Sequence, residues 1–232
     1  MTGTSASAPV VSGSLALILE ANPDLTWRDV KYILAATASP VDSERISTMV
    51  ILGDGDYAAE EGWITNAAGF RFHNWYGFGG LDMSAAIELL KDYTAGQLGL
   101  FLESTWVGWQ FLSGEIPDNS SSGYVKKLSV LGSMVNNISV IEAVQLKVSA
   151  NHSSSGDLGF ELVSPSGTKS ILFTITNGFS ETDNLNNMVL LSNAFYGESP
   201  FGEWTIKVVD GSEGVSGMLT SAHLKFFGRS VN

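Results

Sequence analysis

The chain contains no cysteine. Disulfides, thiolate nucleophiles and cysteine-bound zinc are therefore excluded, while the redox compartment stays open. Charged residues are scarce at 16 %, and bases are the scarcer sign: 12 lysines and arginines face 24 acids, a net charge of −12. The excess is not a local tail, because 12 acids and 5 bases precede residue 95 while 12 and 7 follow it. No basic footprint is present for a nucleic acid, so none is expected as a partner. Long apolar runs are missing too. The longest, Ala8–Leu19, is interrupted by Ser12, Gly13 and Ser14. It is too short for a bilayer and has no basic flank, so neither a membrane span nor a signal peptide is expected.

What remains is a chain of 232 residues, 44 % apolar and rich in glycine (25 residues). That suffices for a core and for one large or two ordinary domains. Its first part reads as helical. Ala8–Glu20 is almost uniformly small and apolar, the mark of a helix that lies inside a protein. Asn22-Pro23-Asp24 breaks it. Thr26 followed by Asp29 forms a near capping box, with Val30, Ile33 and Leu34 at helical spacing behind it. A third helix is expected from Asp82, its cap, to about Tyr93. Between them, Ser43–Glu61 gathers Glu44, Asp54, Asp56, Glu60 and Glu61, joined by Gly53, Gly55 and Gly62, and reads as a surface excursion.

Beyond about residue 98 the period changes. Val140–Val148, Asp157–Val163, Ser170–Thr176, Glu203–Val209 and Met218–Phe227 read as strands. Ser153–Gly156, Ser164–Gly167, Asn177-Gly178 and Asp210–Ser212 supply the turns. Successive strands without helices argue for a sandwich or jelly roll. Residues 94–120 read as a linker.

Gly3-Thr4-Ser5-Ala6-Ser7-Ala8-Pro9 runs straight into the apolar helix. A serine at a helix N-terminus lies where unpaired N–H groups and the helix dipole favour negative charge, which suits a nucleophile whose attack creates an oxyanion. Gly3 permits a tight turn and close approach of a substrate backbone. From the residues alone, Thr4 or Ser5 reads first as an ordinary N-cap.

The full string resembles the nucleophile segment of subtilisin-like serine proteases. Leu19–Val30 and Asn74-Trp75-Tyr76-Gly77-Phe78-Gly79-Gly80-Leu81-Asp82 resemble the kexin/furin branch, the proprotein convertases. Gly156-Asp157-Leu158, Leu162–Thr168, Gly202–Ile206, Val209-Asp210 and Gly217–Leu219 resemble their P domain (homo B). The resemblance implies an α+β chain. Residues 1–95 would be the truncated helix-rich end of a subtilisin-like α/β catalytic domain, and residues 96–232 an all-β jelly-roll P domain. It implies Ser5 as the catalytic nucleophile of a secreted or periplasmic, calcium-dependent endopeptidase, cleaving peptide and protein substrates after basic residues.

A serine nucleophile needs a base and an orienting acid, which in this family precede it. The histidines here, His73, His152 and His223, all follow Ser5 and none has a His-Gly-Thr context. The missing upstream catalytic segment is thus the expected partner, and the chain alone is expected to be inactive. A non-catalytic P domain that stabilises or binds a partner is the alternative. No residue stands out as a metal or cofactor ligand. Asp54, Asp56, Glu60 and Glu61 could attract calcium, but their spacing lacks that of an EF-hand and a solvated loop is the better reading. His152, Asp157 and Asp210 are expected to stabilise turns. Trp27, Trp63, Trp75, Trp106, Trp109 and Trp204 are expected as core or interface anchors. Asn119, Asn137 and Asn151 fit the N-glycosylation pattern.

Overall fold

A computed structural model describes residues 3–176, 178 and 184–231; of the turn expected at Asn177-Gly178, Asn177 lies outside them. The chain forms two compact units, one from residues 1–43 and 76–100, the other from 44–75 and 101–232.

The first unit holds three helices: α1 (Thr4–Ala21), α2 (Trp27–Thr37) and α3 (Met83–Leu90). α1 starts earlier than its apolar run, and at 18 residues is long and apolar enough to cross a membrane by length and composition, a property shared with core helices. Its one fully buried side chain is Ile18, while Val10 and Leu17 stay 66 % and 57 % exposed. α2 carries the full capping box. Thr26 Oγ1 accepts from Asp29 N at 3.2 Å, and Thr26 N donates to Asp29 Oδ2 at 2.8 Å. Asp82 caps α3 by accepting from Ala85 N at 2.9 Å. That helix ends at Leu90 rather than Tyr93, because the next three N–H groups bond three residues back and tighten the chain.

Ile18, Leu25, Ile33, Ala86 and Tyr93 form this unit's small core. Asp29 does more than cap. Its carboxylate also accepts from Tyr93 Oη at 2.6 Å and Gly96 N at 3.0 Å, tying the chain after α3 to α2. Burial alone would raise its pKa, but the donors from Tyr93, Thr26 and Gly96 outweigh burial and hold the carboxyl below its ordinary value. Gly79 is needed where it stands: at φ +135° a side chain is strained, and a Cβ would meet the Ser39 carbonyl at 2.3 Å.

The second unit is antiparallel throughout. Two hairpins come first, β1 (Thr48–Leu52) with β2 (Gly55–Glu60) and β3 (Ile64–Thr65) with β4 (Arg71–Phe72). Three short strands follow: β5 (Leu102–Glu103), β6 (Val107–Trp109) and β7 (Gly114–Ile116). Then come the long elements β8 (Ser120–Val130), β9 (Val140–Asn151), β10 (Leu158–Val163), β11 (Lys169–Phe173), β12 (Leu185–Ser192), β13 (Gly202–Asp210) and β14 (Gly217–Arg229). One sheet runs β11-β10-β13-β8. The other runs β12-β9-β14-β5, with β6 and β7 also on β14. Alternate residues of β9, β13 and β14 point inward. They meet around Trp204, whose ring lies 5.0 Å from Phe195 and 5.3 Å from Phe226. The indole N–H donates to Pro200 O at 2.8 Å, so the largest core residue leaves no unpaired donor.

Two expectations need correction. The stretch 43–61 is not a solvated excursion: Leu52, Tyr57 and Ala59 are buried, and Leu52 and Tyr57 cluster with Val209 of the sandwich. Nor is 94–120 only a linker, since it supplies β5, β6 and β7. The β3–β4 turn is pinned by Asn66. Its amide donates to Ala194 O and Tyr196 O, each at 2.8 Å, and its carbonyl accepts from Ala68 N and Phe70 N at 3.0 and 2.9 Å. The side chain's donors are used in full. Glu198 accepts from Ala67 N at 3.0 Å and from the Thr168 hydroxyl, closing the same attachment.

Two outcomes follow for stability. Asn66→Asp removes both donors and aims a carboxylate at two buried carbonyls; a loss of roughly 3 kcal/mol or more is expected in urea unfolding. Asp29 has a depressed folded pKa, so its contribution is complete above the ordinary carboxylate value of 3.8 and fades as pH falls through the lower folded value. Acid titration of the helical unit by circular dichroism should therefore show a shallower loss below that pH in Asp29→Asn than in the parent chain.

Candidate active site at the start of α1

Ser5 is the second residue of α1, in its exposed first turn. Gly3 is the N-cap, with φ 80° and ψ −166°, and has no side chain to cap the amides that follow. Its carbonyl accepts from Ala6 N at 3.0 Å and Ser7 N at 3.4 Å. Pro9 sits inside the helix without an N–H, so it cannot donate to the Ser5 carbonyl four residues back. Farther along, Ser12 and Ser14 hydroxyls fold onto the carbonyls of Ala8 and Val10 at 3.0 and 2.9 Å, which keeps polar atoms off an otherwise apolar surface. The dipole and the uncapped turn favour an anion here, the electrostatics an acyl-transfer nucleophile uses.

The three histidines all lie in the sandwich unit. His73 is buried; its Nδ1 accepts from Trp75 N at 3.0 Å and its ring packs on Trp63 at 5.4 Å. His223 on β14 is partly buried, and desolvation followed by the nearby Lys147 lowers its pKa, favouring the neutral ring. His152 forms an acid–imidazole pair, Nε2 to Asp210 Oδ2 at 3.0 Å, with both side chains buried. The pair has the first two members of a catalytic triad, but its outer nitrogen is taken. Nδ1 lies 3.1 Å from Ser154 N and 2.8 Å from Ser154 O, so backbone, not a hydroxyl, faces it. Burial raises the pKa of Asp210, against the opposing pull of Ser212 N–H and His152. Gly217 makes room for the ring: a Cβ there would lie 2.4 Å from His152 Cδ2. Asp157 belongs to the same corner, its carbonyl accepting from Gly211 N at 2.9 Å. These residues hold turns together.

The acidic residues of the first hairpin do not converge. The Asp54 carboxylate accepts from the hydroxyls of Ser120 and Ser122 at 2.7 and 2.9 Å and from Ser121 N, donors that hold its pKa far below the ordinary value. Asp118 is likewise occupied, by Gly214 N and Val215 N at 2.9–3.2 Å. Among the described residues no group of three or more acids and histidines could hold a metal ion. The described acids and histidines thus form no cluster of that size for a cation. Of the tryptophans, Trp204 is a core residue, whereas Trp27 and Trp75 are 63 % and 58 % exposed.

Residues 1–79 match the Subtilase family and residues 141–226 the Proprotein convertase P-domain. The chain is a subtilase segment followed by a proprotein convertase P domain. It is 35 % identical to the Aeromonas extracellular serine protease of Aeromonas sobria over 92 % of its own length and 36 % of that protein's. It is 32 % identical to furin of Rattus norvegicus over 98 % of its length and 26 % of furin's. The crystal structure of the Aeromonas sobria serine protease with its chaperone superposes on the whole chain with a TM-score of 0.88 at 32 % identity, covering 45 % of that chain. This subtilase–P-domain chain thus spans 36 % of the length of the first relative and 26 % of the second.

The contacts of Asn66 and Glu198 were not legible in the sequence beyond the Asn66–Gly69 turn signal, whereas His152 and Asp210 were expected at turns and only their pairing was hidden. Replacing His152 by alanine strands Asp210 in the interior. Loss of about 3–5 kcal/mol is expected, read by urea unfolding of the sandwich unit followed through tryptophan fluorescence.

Proposed function

We propose that this chain is the nucleophile-bearing end and P domain of a serine endopeptidase of the kexin/furin type, with Ser5 forming the acyl-enzyme. The observation that carries the reading is a hydroxyl in the uncapped first turn of a largely apolar helix, inside the segment that matches the subtilases. Attack by Ser5 Oγ on a peptide carbonyl transfers the hydroxyl proton to a histidine base and places negative charge on the carbonyl oxygen, near the helix N-terminus. The base and its aspartate belong to the upstream catalytic segment of the whole protein. That segment is the natural cover for the exposed apolar faces of α1. The isolated chain is accordingly inactive.

The name of the Aeromonas relative supports an extracellular location, and cleavage after basic residues is what the resemblance to the kexin/furin branch implies. Calcium dependence belongs to the same reading, with the ion held by residues of the upstream segment. The alternative, a stabilising or partner-binding P domain, is favoured by one feature: the sandwich core runs from Val107 to Phe226 and is complete within its own unit.

The test is hydrolysis of a fluorogenic dibasic peptide by the whole protein. Ser5→Ala should lower kcat on the order of 10⁶-fold, the magnitude known for loss of a subtilisin serine. The chain alone should give no cleavage above buffer. Full activity in Ser5→Ala would overturn the assignment and leave the stabilising module.

A further inference from the structure

The first hairpin of the sandwich unit holds a feature that the peptidase reading does not use. β1 runs Thr48-Met49-Val50-Ile51-Leu52, without charge, proline or glycine. Among the described residues it pairs with β2 alone, so its outer side presents unpaired backbone donors and acceptors. Its side chains alternate. Val50 and Leu52 turn inward and join the cluster of Tyr57, Ile175 and Val209. Met49 and Ile51 turn outward and are 56 % and 84 % exposed, and Ile46, just before the strand, is 82 % exposed. The hairpin tip is anchored: Gly53 N donates to Asn119 O at 2.9 Å, and the Asp54 carboxylate accepts from the Ser120 and Ser122 hydroxyls at the start of β8. The apolar face is thus displayed on a held ribbon. Two other sheet edges are guarded, β8 by Lys126 and Lys127 and β11 by the Asn74 amide, which donates to Ile171 O at 2.8 Å. β1 has neither device.

What the edge offers limits what can cover it. A free strand edge takes an extended backbone, and an uncharged one gives no ionic hold to an acidic or basic segment. The partner must be a strand with large apolar side chains on one face. β1 itself has that pattern. In an antiparallel pair centred on Val50, Met49 of each copy faces Ile51 of the other, Val50 faces Val50 and Thr48 faces Leu52. Four exposed aliphatic side chains then close over one another, and no charge opposes a like charge. We propose that β1 is a docking edge for a second copy of this chain, joining the two hairpins into one four-stranded sheet, β2-β1-β1-β2. Two five-residue strands make a small interface, so a weak dimer is expected, with a Kd on the order of 10–100 µM. The inference stands independently of Ser5 chemistry.

The test is sedimentation velocity of the purified chain and of the whole protein over a range of about 1–300 µM, spanning the expected Kd. Both should pass from monomer to dimer. Ile51→Lys sets an ammonium against Met49 of the other copy and should raise Kd about tenfold or more. Val189→Lys, on the exposed face of β12, and Leu17→Lys, on the exposed face of α1, should leave it unchanged. Each copy carries a net charge of −12, so raising the salt from about 50 to about 500 mM should tighten the dimer roughly threefold by screening that repulsion. The chain has no cysteine, so Val50→Cys introduces a single thiol; mild oxidation should give a covalent dimer, because facing Cα atoms of an antiparallel pair lie within disulfide reach. Melting curves confirm that the variants stay folded. A chain that stays monomeric throughout overturns the proposal. So does a dimer that survives Ile51→Lys, one lost instead in Val189→Lys or Leu17→Lys, or the absence of a covalent dimer from Val50→Cys. A whole protein that stays monomeric also overturns it, and would mean that its own upstream segment covers β1.

Discussion

A helix with apolar side chains on every face is stable only where something covers every face, and α1 is such a helix. Burying one valine or leucine is worth roughly 1.5–3 kcal/mol relative to leaving it in water. Val10, Val11, Leu17 and Leu19 are all exposed, while Ile18 alone is buried. The first unit cannot recover that energy with its own small core of five buried residues. The same constraint gives α1 its chemical value. A helix meant for the interior holds its N-terminus rigidly once covered, and Ser5 sits in that first turn. The uncovered surface and the poised hydroxyl are two consequences of one sequence pattern.

The sandwich unit solves its burial problem internally. Trp204, Phe160, Phe195 and Phe226 fill the space between two antiparallel sheets, and Asn66, His152 and Asp210 at its margins are paired into fixed corners. Asn66 uses its amide on both sides, holding the preceding hairpin to the loop around Ala194 and Tyr196. His152 and Asp210 close another corner. Each of these groups would be costly to strand, so each makes the local fold all-or-none. That is why residues 44–75, which look hydrophilic in sequence, are built into the sandwich unit and not left in solvent.

How much was legible in the sequence follows from the range of each signal. The capping box of Thr26 and Asp29 and the Asp82 cap are local, three-residue patterns, and both stand as expected. The long strands β9, β10, β13 and β14 announced themselves by period and bounding turns. The short ones did not. β5, β6 and β7 have two or three residues each, too few for a period, and exist because β14 offers 13 residues of edge to pair with. The partners of buried polar groups were invisible for a related reason. His152 lies 58 positions from Asp210, and Asn66 lies 128 from Ala194, separations that only the folded topology brings together. The nucleophile proposed at Ser5 rests on a contiguous motif, which is the kind of signal a sequence can carry.

The chemistry of the site turns on the division between holding charge and moving a proton. A helix N-terminus carries about half a positive charge, and it can steady an oxyanion, but it takes no proton from a hydroxyl at neutral pH. An unassisted serine stays a weak nucleophile however well it is placed. The imidazole–carboxylate pair in this chain cannot fill the gap. Asp210 orients His152 as a triad acid would, yet the opposite ring nitrogen is engaged by the Ser154 backbone and the whole pair is buried. Freeing it would leave a buried carboxylate unpaired and open the corner it closes, so the pair is committed to structure. In the proposed enzyme, therefore, electrostatic placement of the nucleophile is written in residues 3–21 and proton transfer in a different stretch of polypeptide. Catalysis appears only when packing against α1 brings the two together, which makes burial of this helix and assembly of the catalytic machinery one and the same event.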